Sequence, residues 1–316
     1  MNELSGSIFK FLKNNEALSI SGIELQAGIP KGSLQKAIGG YQKLSDGNLQ
    51  KLITVLKRYG YQDEGGAKIM AIANNKGGVA KTASTVNISS ALRNLGYKVL
   101  LVDMDPQGSA SRHFGLYELE GQIADAMRDG HDYKIGELLY KIDDLLYLAP
   151  SNLNLESILP ELQSDDVEGN QRLSKVFNHL RPHFDFILID CPPSLNILTV
   201  NCLMASHSVL IPVQPEPHSI DGLSNIVRLI KKVSSVNPHL KVEGFFFTLV
   251  KNTKLHEGLM STLEEEYPMI KIFEQKIRQN VAVAEACYEG MDVITYDKNS
   301  NGAQDYVALT NELING

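Results

Sequence analysis

The residues best suited to chemistry crowd into one short stretch, Asn74-Asn75-Lys76-Gly77-Gly78-Val79-Ala80-Lys81-Thr82. A glycine pair followed by lysine and a hydroxyl suits phosphate binding. Glycines let backbone N–H groups approach phosphate oxygens, and a helix starting there adds its dipole. Lys81 would neutralise the β- and γ-phosphates of a nucleotide, and Thr82 would ligate Mg²⁺. Two further stretches end in carboxylates. Lys98-Val99-Leu100-Leu101-Val102 leads into Asp103 and Asp105, and Phe184-Asp185-Phe186-Ile187-Leu188-Ile189 leads into Asp190. Carboxylates at strand ends beside a phosphate loop can hold Mg²⁺ or position a water.

These groups need a scaffold that brings separate strand ends together. Ile69–Ala73 is an apolar run of strand length, and Ile88, Leu92 and Leu95 recur at helical spacing after the loop. Strands are expected at about 68–74, 98–103, 145–150, 185–190, 207–213 and 242–250. Helices are expected at about 81–96, 170–181, 195–205, 219–234, 256–267, 281–289 and 303–314. That alternation implies an α/β fold, a mostly parallel doubly wound sheet covered by helices. Residues 113–170 are the least legible. Their Asp125, Asp132, Asp143, Asp144, Asp165 and Asp166 read as solvated loops and helix caps.

The combined motifs resemble the ParA/MinD-type deviant Walker ATPases, on the ParA side. The resemblance rests on Lys76 before Gly-Gly-Val-x-Lys-Thr, on Leu-Leu-Val-Asp-x-Asp-Pro-Gln and on Ile-Asp-Cys-Pro-Pro. Val213-Gln214-Pro215, Tyr296-Asp297 and Gly302-Ala303-Gln304 also fit, so it covers about residues 67–316. It implies a P-loop ATPase using ATP/ADP and Mg²⁺. Lys76, Lys81 and Asp105 become the catalytic set, with Asp105 orienting the attacking water and Lys76 reaching a partner subunit's phosphates. Thr82, Asp103 and Asp190 would hold the metal, the two carboxylates through its waters. Nucleotide contacts would come from Lys76, Gly77, Gly78, Val79, Ala80, Lys81, Thr82 and Ala83, with adenine contacts from Lys251, Asn252 and Gln279. Ala80 and Ala83 depart from the glycine and threonine usual there. The resemblance further implies a homodimer, nonspecific DNA binding by the ATPase dimer, a ParB-like centromere-binding partner and a cytoplasmic, nucleoid-associated location. Asn252 and Ala282 stand where chromosomal relatives tend to carry arginine; Lys251, Lys254, Lys271, Lys276 and Arg278 are nearby.

Ahead of this region, residues 1–62 read as a small all-α domain joined by a linker, 63–67, to the ATPase part, 68–316. The net charge is −7, but residues 1–62 hold eight Lys/Arg against four Asp/Glu, +4, which leaves −11 for the rest. Residues 1–15 pattern as a helix. Two short helical segments then meet at Ala27-Gly28-Ile29-Pro30, where the glycine permits a left-handed turn and the proline suits the start of the next helix. A further helix spans Asp46 to Arg58. The pattern resembles a helix-turn-helix of the Cro/phage-repressor kind. Its recognition helix would run from about Lys31 to Ile38, with Lys31, Ser33, Gln35 and Lys36 free to meet bases or phosphates.

The three cysteines, Cys191, Cys202 and Cys287, are far apart in sequence and suggest neither zinc nor a bridged iron–sulfur cluster. No signal peptide is visible, and no apolar run approaches the ~18 residues of a membrane span. The expectation is an ATP-dependent plasmid or chromosome partition ATPase with a site-specific DNA-binding N-terminal domain. The alternatives are an ATP-switched transcriptional regulator and a ParA-like protein that positions another cargo.

Overall fold

The computed structural model describes residues 8–9, 11–13, 15, 18–57, 59, 61, 66–128, 135–165, 168–217 and 219–315. The chain divides into two compact units, with the boundary between Ala67 and Lys68. Most of the expected linker, 63–65, lies outside the described residues, as do Asp132 and Asp166.

The first unit is helical. Its described part contains α1 (Ile20–Gln26), α2 (Ser33–Ile38) and α3 (Asp46–Lys57). Residues 8–9 and 11–13 are also helical, within the segment expected to be a helix. The core comprises Ile8, Leu12, Ile23, Leu34, Leu49, Leu52 and Leu56, all buried. Gly28 has φ +61°, the left-handed conformation expected of it. The proline expectation is corrected: Pro30 precedes a further turn, and α2 begins only at Ser33. A buried carboxylate fixes that turn. Glu24 of α1 accepts hydrogen bonds from the N–H groups of Gly32 (2.7 Å) and Leu34 (2.8 Å).

Among its described residues the second unit has seven strands: β1 (Lys68–Ile72), β2 (Val99–Asp103), β3 (Tyr140–Lys141), β4 (Leu146–Ala149), β5 (Phe186–Asp190), β6 (Ser208–Val213) and β7 (Lys241–Phe247). Their order is β3-β4-β2-β5-β1-β6-β7. All described pairings are parallel except β3 with β4. The helices are α4 (Lys81–Asn94), α5 (Ser109–His113), α6 (Ile123–Met127), α7 (Leu159–Ser164), α8 (Arg172–Leu180), α9 (Ile197–Ala205), α10 (Ser219–Ser234), α11 (Lys254–Glu266), α12 (Val281–Tyr288), α13 (Val293–Tyr296) and α14 (Asn301–Asn315). Every residue of β2 and β6 is buried, as a parallel sheet covered on both faces requires. The two-residue edge strand β3 and the short helices of 109–164 were not expected from the sequence.

Register sets the site. Ile72 at the end of β1 pairs with Asp190 at the end of β5, and Asp190 pairs with Asp103 at the end of β2. Three central strands therefore stop side by side, and the glycine loop and both carboxylate stretches leave the sheet from their carboxyl ends.

Candidate functional site

The glycine loop runs from β1 into α4. Its shape is held from three sides. The Asn74 side chain donates to Pro212 O (2.8 Å) and accepts from the Lys76 N–H (3.1 Å), while Thr248 Oγ1 donates to Val79 O (3.1 Å). Gly78 and Ala80 both have positive φ, +76° and +61°. Ala80 thus supplies, without being glycine, the left-handed cap that starts α4. The first turn of any helix leaves its N–H groups free of intrahelical partners, and here they open at the loop.

Lys81 is buried, and its ammonium donates to Lys76 O at 2.8 Å. Burial lowers its pKa, offset in part by the negative charges of Asp190 and Asp105. Thr82 Oγ1 donates to Asp190 Oδ2 at 2.7 Å, and Thr85 Oγ1 lies 3.4 Å from Asp190 Oδ1. Asp190 and Asp103 are both buried. Desolvation pushes both carboxyls above the usual carboxylate range, and their mutual repulsion pushes Asp190 further. Cys191, next along, is buried within hydrogen-bonding reach of Cys202; burial pushes its thiol up. The two cysteines distant in sequence are therefore neighbours in the fold.

The two carboxylates after β2 have different surroundings. Asp103 is fully buried with both oxygens engaged. Oδ1 accepts from the Asp105 N–H, and Oδ2 accepts from the Ser111 N–H and hydroxyl. Asp103 is expected to reach the metal through its waters, as Asp190 is; here its oxygens serve its own loop as well. Asp105 is half-buried, with Oδ1 accepting from the Gln107 N–H (2.9 Å).

Lys76 sits at the mouth of the loop. Its ammonium pairs with Glu216 Oε2 at 2.5 Å, and this contact holds the Glu216 carboxyl below its usual range. Glu216 follows the Val213-Gln214-Pro215 motif, yet its role as a partner for Lys76 was not readable from that motif.

The expected base contacts come together. Lys251, Asn252 and Gln279 line one open groove of about 700 Å³, with Val250, Met260 and Val281 as apolar wall. A parallel bridge between Val250 and Arg278 joins its two sides. His256 Nδ1 accepts from the Lys251 N–H (3.2 Å), and so shapes the loop from below. Of the basic residues noted for DNA, Arg278 is tied to Asp305 through two short bonds (2.6 and 2.9 Å), and Lys271 lies over the Phe273 ring.

In the first unit Lys31, Gln35 and Lys36 are exposed on and just before α2. Ser33 is corrected: it is buried, its Oγ has no hydrogen-bond partner, and its carbonyl accepts from Gln42 Nε2. Four residues separate it from buried Ala37, so both share the inward stripe of the helix.

The AAA domain family matches residues 67–242. The sporulation initiation inhibitor protein Soj of Bacillus subtilis is 36% identical over 252 residues, covering 78% of this chain and 98% of that protein. The chromosome partitioning protein ParA of Myxococcus xanthus is 36% identical over 266 residues, covering 81% and 92%. Among solved structures, cobyrinic acid a,c-diamide synthase of Mycobacterium smegmatis with bound ADP and magnesium superposes with a TM-score of 0.68. It is 29% identical and covers 78% of this chain and 93% of its own. With the glycine loop, Asp190 and Asp105 gathered at the carboxyl ends of three central strands, these similarities identify the chain as a member of the ParA-type partition ATPases.

Proposed function

We propose that this protein is an ATP-driven DNA partition ATPase. In this reading ATP binding brings two subunits face to face, and hydrolysis separates them. The observation that carries it is the shared carboxyl end of three central strands, where Lys81, Thr82, Asp190 and Asp105 converge on one loop. The donor set fits Mg²⁺: a threonine hydroxyl and a carboxylate are hard oxygen ligands beside a helix N-terminus. Thr82 would hold the ion directly and Asp190 through its waters, while Asp103 stands behind them. Bound there, Mg²⁺ supplies charge neutralisation on the phosphates. Lys81 leaves Lys76 O for the β- and γ-phosphate oxygens. The phosphates rest on the N–H groups from Gly77 to Ala83, and adenine occupies the groove of Lys251, Asn252 and Gln279. Asp105 orients the water that attacks the γ-phosphorus as the bond to the bridging oxygen breaks, which yields ADP and phosphate.

Lys76 makes the site require two subunits. A single loop already has Lys81, so a second lysine five residues upstream is surplus for simple binding. In the free chain Lys76 rests on Glu216. In the dimer it exchanges that carboxylate for the partner's γ-phosphate, so association reports ATP rather than ADP. The N-terminal unit reads a DNA site through Lys31, Gln35 and Lys36, and the ATPase dimer holds DNA nonspecifically through exposed lysines such as Lys251 and Lys254. A centromere-binding protein of the ParB kind stimulates turnover. The reading places the protein in the cytoplasm on the nucleoid. Among the described residues no helix is long and apolar enough to cross a membrane.

The test is light scattering and DNA binding of the wild-type chain and Lys76→Ala, without nucleotide, with ADP and with a nonhydrolysable ATP analogue. Wild type should dimerise only with the analogue, and Lys76→Ala should bind it yet stay monomeric and fail to turn over ATP. A wild-type-like dimer with normal turnover in Lys76→Ala overturns the trans role of the lysine.

A further inference from the structure

We infer that Ser111 and Ser151 are positioning residues for ATP hydrolysis, closing with buried Asp103 a ring of hydrogen bonds that clamps the backbone of Asp105. The inference rests on Asp105 as the group that orients the water. The ring can be followed atom by atom. The Asp105 N–H donates to Asp103 Oδ1 at 3.1 Å. Asp103 Oδ2 accepts from Ser111 Oγ at 2.7 Å and from the Ser111 N–H at 2.8 Å. Ser111 Oγ in turn accepts from the Ser151 N–H at 2.9 Å. Ser151 Oγ then donates to Asp105 O at 2.5 Å and returns the ring to its start.

Two nearby segments, the end of β2 and the helix α5, are joined to a third forty residues further on, just beyond β4. Asp103 is fully buried, Ser111 is 1% exposed and Ser151 is 2% exposed, so water cannot replace a lost member cheaply. The close approach has a backbone signature as well. Gly108 has φ +60°, and a Cβ there would stand 2.5 Å from Ser151 O. A side chain at 108 would push the turn off the clamp. The outcome is an Asp105 whose N–H and C=O are both fixed while its carboxylate stays half-exposed on the side of the phosphate loop.

Hydrolysis depends on such placement. A displacement of about 1 Å in a group that orients a reactant can cost about a hundredfold in rate. The phosphates, by contrast, are gripped by a different loop. Ser111→Ala and Ser151→Ala are therefore expected to lower kcat about ten- to hundredfold while KM for ATP and analogue-dependent dimerisation stay near wild type. Ser111→Thr, which keeps the hydroxyl, should recover most of kcat. Ser206→Ala is the control: Ser206 is equally buried, and its hydroxyl donates to Cys202 O at 2.7 Å. It should lose thermal stability like the others and keep kcat.

The experiment measures kcat, KM, Tm and dimerisation for these four variants beside Asp105→Ala, all in the full chain. Loss of kcat without loss of ATP affinity in Ser111→Ala and Ser151→Ala, restored in Ser111→Thr, supports the clamp. Wild-type kcat in both alanine variants, with Asp105→Ala inactive, overturns the clamp and leaves the role of Asp105 standing. A kcat loss that Ser206→Ala matches also overturns it, since it would then track stability alone. Normal turnover in Asp105→Ala removes the reading underneath.

Discussion

Both units use a buried carboxylate to hold a turn, but they present different things. In the N-terminal unit Glu24 accepts the N–H groups of Gly32, just before α2, and of Leu34, in its first turn, and α2 carries Gln35 and Lys36 outward. In the ATPase unit Asp103 accepts the N–H groups of Asp105 and Ser111, and the turn carries the Asp105 carboxylate outward. The acid nearest the functional residue is a support in both cases. The difference lies in reach. Glu24 bonds eight and ten residues away, whereas the ring around Asp103 takes in Ser151, forty residues beyond Ser111. A turn held locally is expected to loosen by itself. One held through the end of a central strand and a segment forty residues away ties its precision to the whole α/β core.

The largest effect expected is at Lys81. Lys81→Ala removes the cation buried against the phosphate loop and should abolish nucleotide binding in any measurable range. Calorimetric titration with ATP and Mg²⁺ checks it. Near-wild-type affinity would mean that this loop does not hold the phosphates, and the contrast between the two units would lose its functional half.

Glu24→Ala should act on the other unit alone. Two N–H groups lose a buried charged acceptor, a loss of about 2–3 kcal/mol in that unit. Hydrogen exchange should show amides in 18–57 losing protection while those of β1, β2 and β5 keep theirs. Specific DNA binding should fall and ATP affinity should hold. Equal loss of protection in the sheet would show that the two turns are not independently supported.

Much of this architecture was legible because parallel strands buried on both faces read as apolar runs, and such runs end where carboxylates begin. The positions of β1, β2, β5 and β6 came through within a few residues for that reason, and α10 through its helical spacing of apolar residues. Within 113–170 the strand at about 145–150 came through as β4, but the rest was poorly legible, because its order comes from side chains meeting across distance. Arg93 pairs with Asp143, Arg172 pairs with Asp165, and Gln122 and Asp125 cap α6 reciprocally. At the site, the spacing Asp-x-Asp marked both carboxylates but not which one faces inward. Ser111, Ser151 and Glu24 had no pattern of their own, since a serine or glutamate becomes a support only through its partner. Ser33 could have been placed correctly, as the i, i+4 relation to Ala37 already puts it on the inward stripe.

A smaller effect is expected at Lys36. It is an exposed cation on a helix, so Lys36→Ala should weaken DNA binding uniformly across sequences and reduce the slope of log K against log salt by about 1. Gln35→Ala should instead change sequence preference with little change in slope. Binding measured over a salt series on specific and random duplexes separates the two. A Lys36→Ala protein with an unaltered salt slope would mean that α2 does not lie against a phosphate backbone.

The smallest effect concerns Ala80, where the ATPase loop departs from glycine. Its φ of +61° and ψ of 32° place an alanine in the left-handed region. There its Cβ crowds the following carbonyl, at about 1–2 kcal/mol. Ala80→Gly removes that strain, and it also gives the unfolded chain more freedom to lose, about 0.4–1 kcal/mol in the opposite direction. The balance favours the variant by about 0.5 kcal/mol. In a domain of this size that is a rise of about 1–2 °C in Tm. Thermal melting without nucleotide measures it, and ATP titration shows whether the relaxed cap binds phosphate as well or better. A lower Tm in Ala80→Gly would mean that the neighbours of the loop, Asn74 and Thr248 among them, already hold Ala80 there without cost. The phosphate loop would then be supported as thoroughly as the Asp105 turn beside it.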